Sequence, residues 1–231
     1  MLTFEEYLRE MKFYSNEVNE MAISKTGEYD FGKYSWFHLS TGYLSFATFK
    51  KYKLFKIKNI RDNSIFGIGM HNDIPLFVLF KVVKDPERSR IDRAQPISIL
   101  EYEKIGSFYV VRGVHTNKSI RKQGFGKILY STIIQYFKIK LLGDEEQYLG
   151  ARKLWRAISE SKYINVEIYD IEKDKISKFE IKDIEDPRIW TPERNLRTPE
   201  EQYIAENIRL LATFKTNNPN FVEIDYKPVV D

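Results

Sequence analysis

The sequence predicts an α+β protein built on a mixed, mostly antiparallel sheet flanked by helices. Three patterns lead to that fold class. Short apolar segments follow one another between residues 43 and 116, divided by turn-forming residues. An apolar run at 107–116 leads through the glycine-rich stretch Arg121-Lys122-Gln123-Gly124-Phe125-Gly126 into a helical pattern at 127–137. Two alternating segments then flank the turn-like Glu172-Lys173-Asp174-Lys175 and read as a hairpin.

Taken in order, Thr3 and Glu6 form a capping-box pattern ahead of a helical face of Phe4, Tyr7, Leu8 and Met11. The polar stretch 15–34 reads as a second short helix plus a loop. Strands are expected at 43–49, 52–57, 64–70 and 74–83, with Asn72-Asp73 as the turn before the last. The charged segment 85–96 holds two prolines and reads as a loop, followed by strands at 97–102 and 107–116. Phe125, Leu129, Ile133 and Phe137 recur at four-residue spacing, the core-facing stripe of a helix. A short strand at 139–142 and a helix at 150–158 come next. In the hairpin, Ile164, Val166 and Ile168 alternate on one arm, and Phe179 and Ile181 on the other. Thr198-Pro199-Glu200-Glu201 opens a last helix, whose buried stripe is expected at Ile204, Ile208 and Leu211.

Composition narrows the function. The chain has 231 residues, 15% of them aromatic, with only 11 glycines, so it can bury a core and is not linker-like. It has no cysteine, which removes disulfides, thiolate metal sites and cysteine nucleophiles, and suits a reducing cytoplasm. The start of the chain lacks the basic flank and apolar core of a signal peptide. The apolar run 74–83 is too short to span a bilayer and is broken by Lys81, so no membrane partner is expected. His38, His71 and His115 show no metal-ligand spacing, so no metal is expected. The net charge of +4 neither demands nor forbids nucleic acid. Lys50, Lys51, Lys53, Lys56, Lys58 and Arg61, interleaved with Tyr52, Leu54, Phe55 and Ile57, read first as a half-exposed strand with a lysine-rich outer face. The functional alternative is a track along a phosphate backbone.

The glycine turn carries the sharpest signal. The first amides of a helix have no intrahelical partner, and the helix dipole adds about half a positive charge there. Gly124 and Gly126 would let a bulky anion approach the backbone, as a phosphate does at a helix start. A dinucleotide fingerprint would need a third glycine where Leu129 stands, and a Walker-type loop would need Ser or Thr where Ile128 follows Lys127. The stretch instead resembles motif A of the GNAT acyltransferase superfamily, Arg/Gln-x-x-Gly-x-Gly/Ala. The order of elements over about residues 40–185 is similar to that of the GNAT fold. Asp144, Gly150-Ala151 and Leu154-Trp155 resemble the matching segment of GNAT proteins often found in bacteriophage genomes.

The resemblance implies an acyltransferase domain at 1–185 that includes the N-terminal helical elements, with 186–231 as a C-terminal extension packed on it. It implies acetyl-coenzyme A as co-substrate and an amine acceptor of unidentified class: a small molecule, a protein or a modified base. Backbone amides of Lys122, Gln123, Gly124, Phe125, Gly126 and Lys127 would hold the pyrophosphate, with Arg121 adding a charge-assisted contact. Val114 and Thr116, on a strand that splays from the next to leave room for the acyl group, would pair with the pantetheine arm. A phage-encoded chain would work in the host cytoplasm.

Acyl transfer needs a neutral amine, and removing the proton from a lysine-like amine at neutral pH costs about 4–5 kcal/mol. A base and a proton donor are therefore expected. Where the family often places a donor tyrosine this chain has Trp155, and Tyr148 is the nearest substitute. Base candidates are Tyr109 and His115, expected on one strand face with Val111 and Gly113, and Glu101 or Glu103 upstream. The alternative function is a catalytically inactive GNAT-fold module that binds a macromolecule.

Overall fold

A computed structural model describes residues 43–58, 60, 63–116, 120, 123–144, 149–180, 189 and 197–230. The helix expected after Thr3 and the segment 15–34 lie outside them. The described residues form an α+β fold whose single mixed sheet is mostly antiparallel. Its strands are β1 (Phe49–Ile57), β2 (Phe66–His71), β3 (Leu76–Lys84), β4 (Asp92–Ile105), β5 (Phe108–Thr116), β6 (Lys140–Leu142), β7 (Ile164–Asp170), β8 (Lys175–Lys178), β9 (Ile208–Phe214) and β10 (Phe221–Glu223). The helices are α1 (Phe125–Phe137), α2 (Leu149–Ser159) and α3 (Pro199–Asn207). Across the sheet the order is β10-β1-β2-β3-β4-β5-β6-β9-β7-β8. No helix among the described residues is long and apolar enough to cross a membrane.

Strands β1 to β5 form an antiparallel meander, because the connections between them are short. β5 and β6 are parallel, which requires a crossover, and α1 supplies it. α1 lies against one face of the sheet. Its buried Leu129, Tyr130, Ile133 and Ile134 share a core with Ile68, Phe77, Leu100, Val111, Leu141 and Ala212. Near its C-terminal end the rings of Tyr136 and Phe55 lie 5.5 Å apart, and those of Phe137 and Phe77 5.4 Å apart. α2 adds Trp155 and Ile158 to the same core. The sheet's other face is also apolar: Leu54, Val78, Phe80 and Ile99 are buried there, and Phe49 stacks on Phe80 at 4.9 Å.

Four expectations change. The segment 43–49 is not a strand of its own. Ser45 caps a short 3-10 turn at Phe46–Thr48, and one strand then runs to Ile57. The loop expected at 85–96 ends early, since β4 begins at Asp92 and carries Pro96 within it. The register there shifts between Leu79 and Phe80, whose partners are Ser98 and Pro96, so Ile97 is the extra residue and Pro96 sits at the edge of a bulge, a setting in which a residue without an N–H is tolerated inside a sheet. The last helix starts as predicted, with Thr198 and Glu201 forming a capping box and Pro199 in the first turn. It stops at Asn207, however, and Ile208 and Leu211 belong to β9.

The fourth change concerns the C-terminal residues, expected beyond the core. β9 lies between β6 and β7 and pairs with both, burying Leu210, Leu211 and Ala212. β10 pairs with β1 at the opposite edge. Backbone pairing on both sides of β9 outweighs the helical spacing of its apolar residues, a tertiary effect that local pattern does not contain.

Candidate functional site

The glycine turn opens α1 as its sequence requires. Gly124 is the N-cap, with φ 82° and ψ 6°, left-handed values that suit glycine because it has no Cβ. Its carbonyl accepts from the Ile128 amide at 3.1 Å, the first bond of the helix. As N-cap, Gly124 has no side chain of its own to accept from the leading amides, and no acidic residue lies in the first turn. Gln123 and Gly124 are exposed, and a Cβ placed on Gly124 would meet nothing within 4 Å. Open space beside Gly124 at the positive end of the dipole is an arrangement that suits an anion. Gly126 also meets the second helix. Its missing Cβ faces α2, where one would stand 3.4 Å from Leu154 Cδ1, at the near limit of ordinary contact. Lys127 is half-buried beside it, and Phe125 packs on the core. Arg121 and Lys122 lie outside the described residues.

Beside this turn two strands part. β5 and β6 pair only at Phe108↔Lys140, Tyr109↔Leu141 and Val110↔Leu142. β6 then ends, while β5 continues to Thr116 against β4 alone among the described strands. The register between β4 and β5 slips at the same level. Tyr102 faces Val111, but Glu101 faces Gly113, so Arg112 is an extra, bulged residue. Its guanidinium donates through Nε and Nη2 to Glu103 Oε2, at 3.0 and 2.8 Å, and through Nη1 to Asp144 Oδ1 at 2.8 Å.

The bulge corrects the expected face assignment. An added residue reverses the alternation of side chains beyond it. Tyr109 and Val111 therefore face the helices, whereas Gly113 and His115 face the other side, opposite Glu101 and Ile99. Tyr109 belongs to an aromatic cluster, its ring 5.0 Å from that of Tyr102 and 5.9 Å from that of Phe77. Val114 packs on the helix-side core. Ser98 donates to the His115 carbonyl at 2.8 Å and shares a hydrogen bond of 2.9 Å with the Thr116 hydroxyl.

The proton-donor candidates divide similarly. Tyr148 lies outside the described residues. Trp155 is a core residue, its indole edge-on to Tyr130 at 5.7 Å. Burial, reinforced by the nearby Asp144 carboxylate, pushes the Tyr130 hydroxyl well above the usual tyrosine range. Glu103 is engaged by Arg112, and Glu101 lies across from Gly113. Sequence reasoning gave no role to Arg112. Its only signal was a charged residue between Val111 and Gly113 in an otherwise apolar strand.

The lysine-rich strand does not present one cationic face. Lys51 and Lys53 stand opposite Met70 and Ile68 on the helix side, while Lys56 pairs with Val222 on the other. Lys53 is also bound to Glu223, Nζ to Oε1 at 2.6 Å. Arg61 lies outside the described residues. Comparison of the chain with protein-family models, curated proteins and solved structures found no match.

Proposed function

We propose that this chain is a GNAT-type N-acetyltransferase that moves an acetyl group from acetyl-coenzyme A to an amine. The observation that carries the reading is the pairing of two features: a helix opened by the left-handed Gly124, which has no side chain to cap it, and the parting from β6 of β5, the strand that leads to that helix. The first suits a diphosphate and the second suits the extended arm of a thioester carrier. The sheet order, with α1 crossing between two parallel strands of a mostly antiparallel sheet, is compatible with a GNAT-like fold.

On this reading the amides from Gln123 to Lys127 hold the pyrophosphate, and Val114 and Thr116 offer main-chain groups to the pantetheine arm. The bulge at Arg112 breaks the ladder beside the reacting end, where a backbone N–H pointing at the thioester oxygen stabilises the charge that develops there. In the transfer, the amine nitrogen bonds to the acyl carbon and the carbon–sulfur bond breaks. The amine proton passes to a base, and the departing thiolate takes up a proton. Among the expected bases, His115 and Glu101 share a sheet face, and Tyr109 is on the opposite one. His115 is the first choice as base, directly or through water, with Tyr148 as the proton donor.

Thermal unfolding with coenzyme A and acetyl-coenzyme A tests the reading. A ligand that binds only the folded chain adds about 2.7 kcal/mol at a hundredfold excess over its dissociation constant. A rise in melting temperature is expected for the wild type and should be absent for Gly124→Glu. An unchanged melting temperature at millimolar coenzyme A rejects the reading.

A further inference from the structure

We infer that the Arg112–Asp144 ion pair is the floor of the slot between β5 and β6, and that it limits the length of the acyl chain this protein accepts. The inference rests on the acyltransferase reading above. The last backbone pair joining the two strands is Val110↔Leu142. Arg112 is two residues beyond Val110, and Asp144 two residues beyond Leu142. Their contact, Nη1 to Oδ1 at 2.8 Å, therefore spans the gap just past the point where the strands separate. From the β4 side, Glu103 holds the same guanidinium through two further nitrogens. A planar fork engaged at Nε, Nη1 and Nη2 has little freedom to swing aside. The bulge is what aims it, since the extra residue turns the strand locally. The three side chains keep 24%, 33% and 25% of their surface exposed, for Arg112, Glu103 and Asp144 in turn. The cluster thus borders open space and is not sealed in the core.

A short acyl group ends before it meets this pair. A longer apolar tail would have to press against it and strip water from charged groups without offering a hydrogen bond in return, which is unfavourable. The slot therefore selects by length through a charged barrier, with no need for a closely fitted apolar wall.

Calorimetric titration of the full chain with coenzyme A, acetyl-coenzyme A and hexanoyl-coenzyme A tests the inference. The wild type should bind the hexanoyl thioester about tenfold more weakly than the acetyl one, within the usual range for pocket discrimination by chain length. In Arg112→Leu that ratio should fall to about threefold or less. Asp144→Asn, which removes the charge at constant shape, should lower it in the same direction and serves if the leucine variant does not fold. A wild type that binds both thioesters equally overturns the floor. So does a folded variant that keeps the wild-type ratio. A wild type that binds no coenzyme A form fails at the acyltransferase reading and takes the floor with it, so the two failures are told apart by the first titration.

Discussion

The Tyr226 hydroxyl donates to Asp92 Oδ2 at 2.7 Å, joining residues 134 positions apart. The same oxygen accepts from the Val229 amide at 2.8 Å, and Lys84 Nζ reaches Oδ1 at 2.8 Å. The Val229 carbonyl in turn accepts from the Asp92 amide at 2.7 Å. One carboxylate at the start of β4, only 1% exposed, thus fastens the chain's last described residues to the sheet.

Asp92→Ala should cost about 2 kcal/mol, the range for hydrogen bonds to a charged group. The cost stays below that of a fully buried pair, because Lys84 is half exposed and regains water. Burial alone would raise the Asp92 carboxyl, but the hydrogen bonds from Lys84, Val229 and Tyr226 outweigh it and hold the group below the usual range. Its contribution is therefore present above about pH 3.9, the unfolded value, and lost as pH falls through the lower folded one. Urea unfolding at pH 7 and pH 3 should show the gap between wild type and Asp92→Asn shrinking at the lower pH.

His71 should titrate below pH 6.5. Burial lowers its pKa, the nearby Lys50 adds to the effect, and Asp73 opposes it. Nδ1 accepts from the amides of Asp73 and Ile74, at 3.2 and 3.3 Å, so the neutral ring holds the turn between β2 and β3. A histidine with a depressed folded value contributes stability above its unfolded pKa of about 6.5 and loses it as pH drops through the folded value. The NMR midpoint of the His71 ring protons checks the shift. Stability between pH 7 and pH 5 should fall more steeply in the wild type than in His71→Leu.

The two turn glycines should respond differently to alanine. Gly124→Ala places a Cβ in the left-handed region and should cost about 1 kcal/mol, although the space around it is open. Gly126→Ala has no such strain and meets only the tip of Leu154, so thermal unfolding should show a smaller loss, under about 0.5 kcal/mol.

Trp155→Ala should cost about 3–5 kcal/mol, because the indole fills a core site between α1 and α2 and little of the cavity can collapse. Trp155→Phe should lose much less by the same denaturant assay, since a ring still meets Tyr130 edge-on.

Features whose partners are close in sequence are legible in the chain itself. Thr198 and Glu201 cap the same helix turn, Leu129 and Ile133 mark one face of α1, and Glu172 to Lys175 turn back a hairpin. Each depends on backbone propensity within a few residues, so the pattern and its cause occupy one window. The candidate site is legible to the same extent: its glycines can be read from the chain, but the facing of its strand cannot. One bulged residue, Arg112, moves His115 to the side away from Tyr109, and its charge between Val111 and Gly113 is the one local trace of the slip.

The chain by itself therefore determined where α1, α2 and α3 begin to within about two residues, which segments are apolar enough for strands, and that Gly124 lies at the opening of α1. Only the tertiary structure decided that β9 enters between β6 and β7, that Pro96 is carried inside β4, and that Arg112 meets Asp144 across the parted strands. Those outcomes depend on which distant edge offers hydrogen bonds and buried surface. That choice is made by competition among all the segments at once, so no local window contains it.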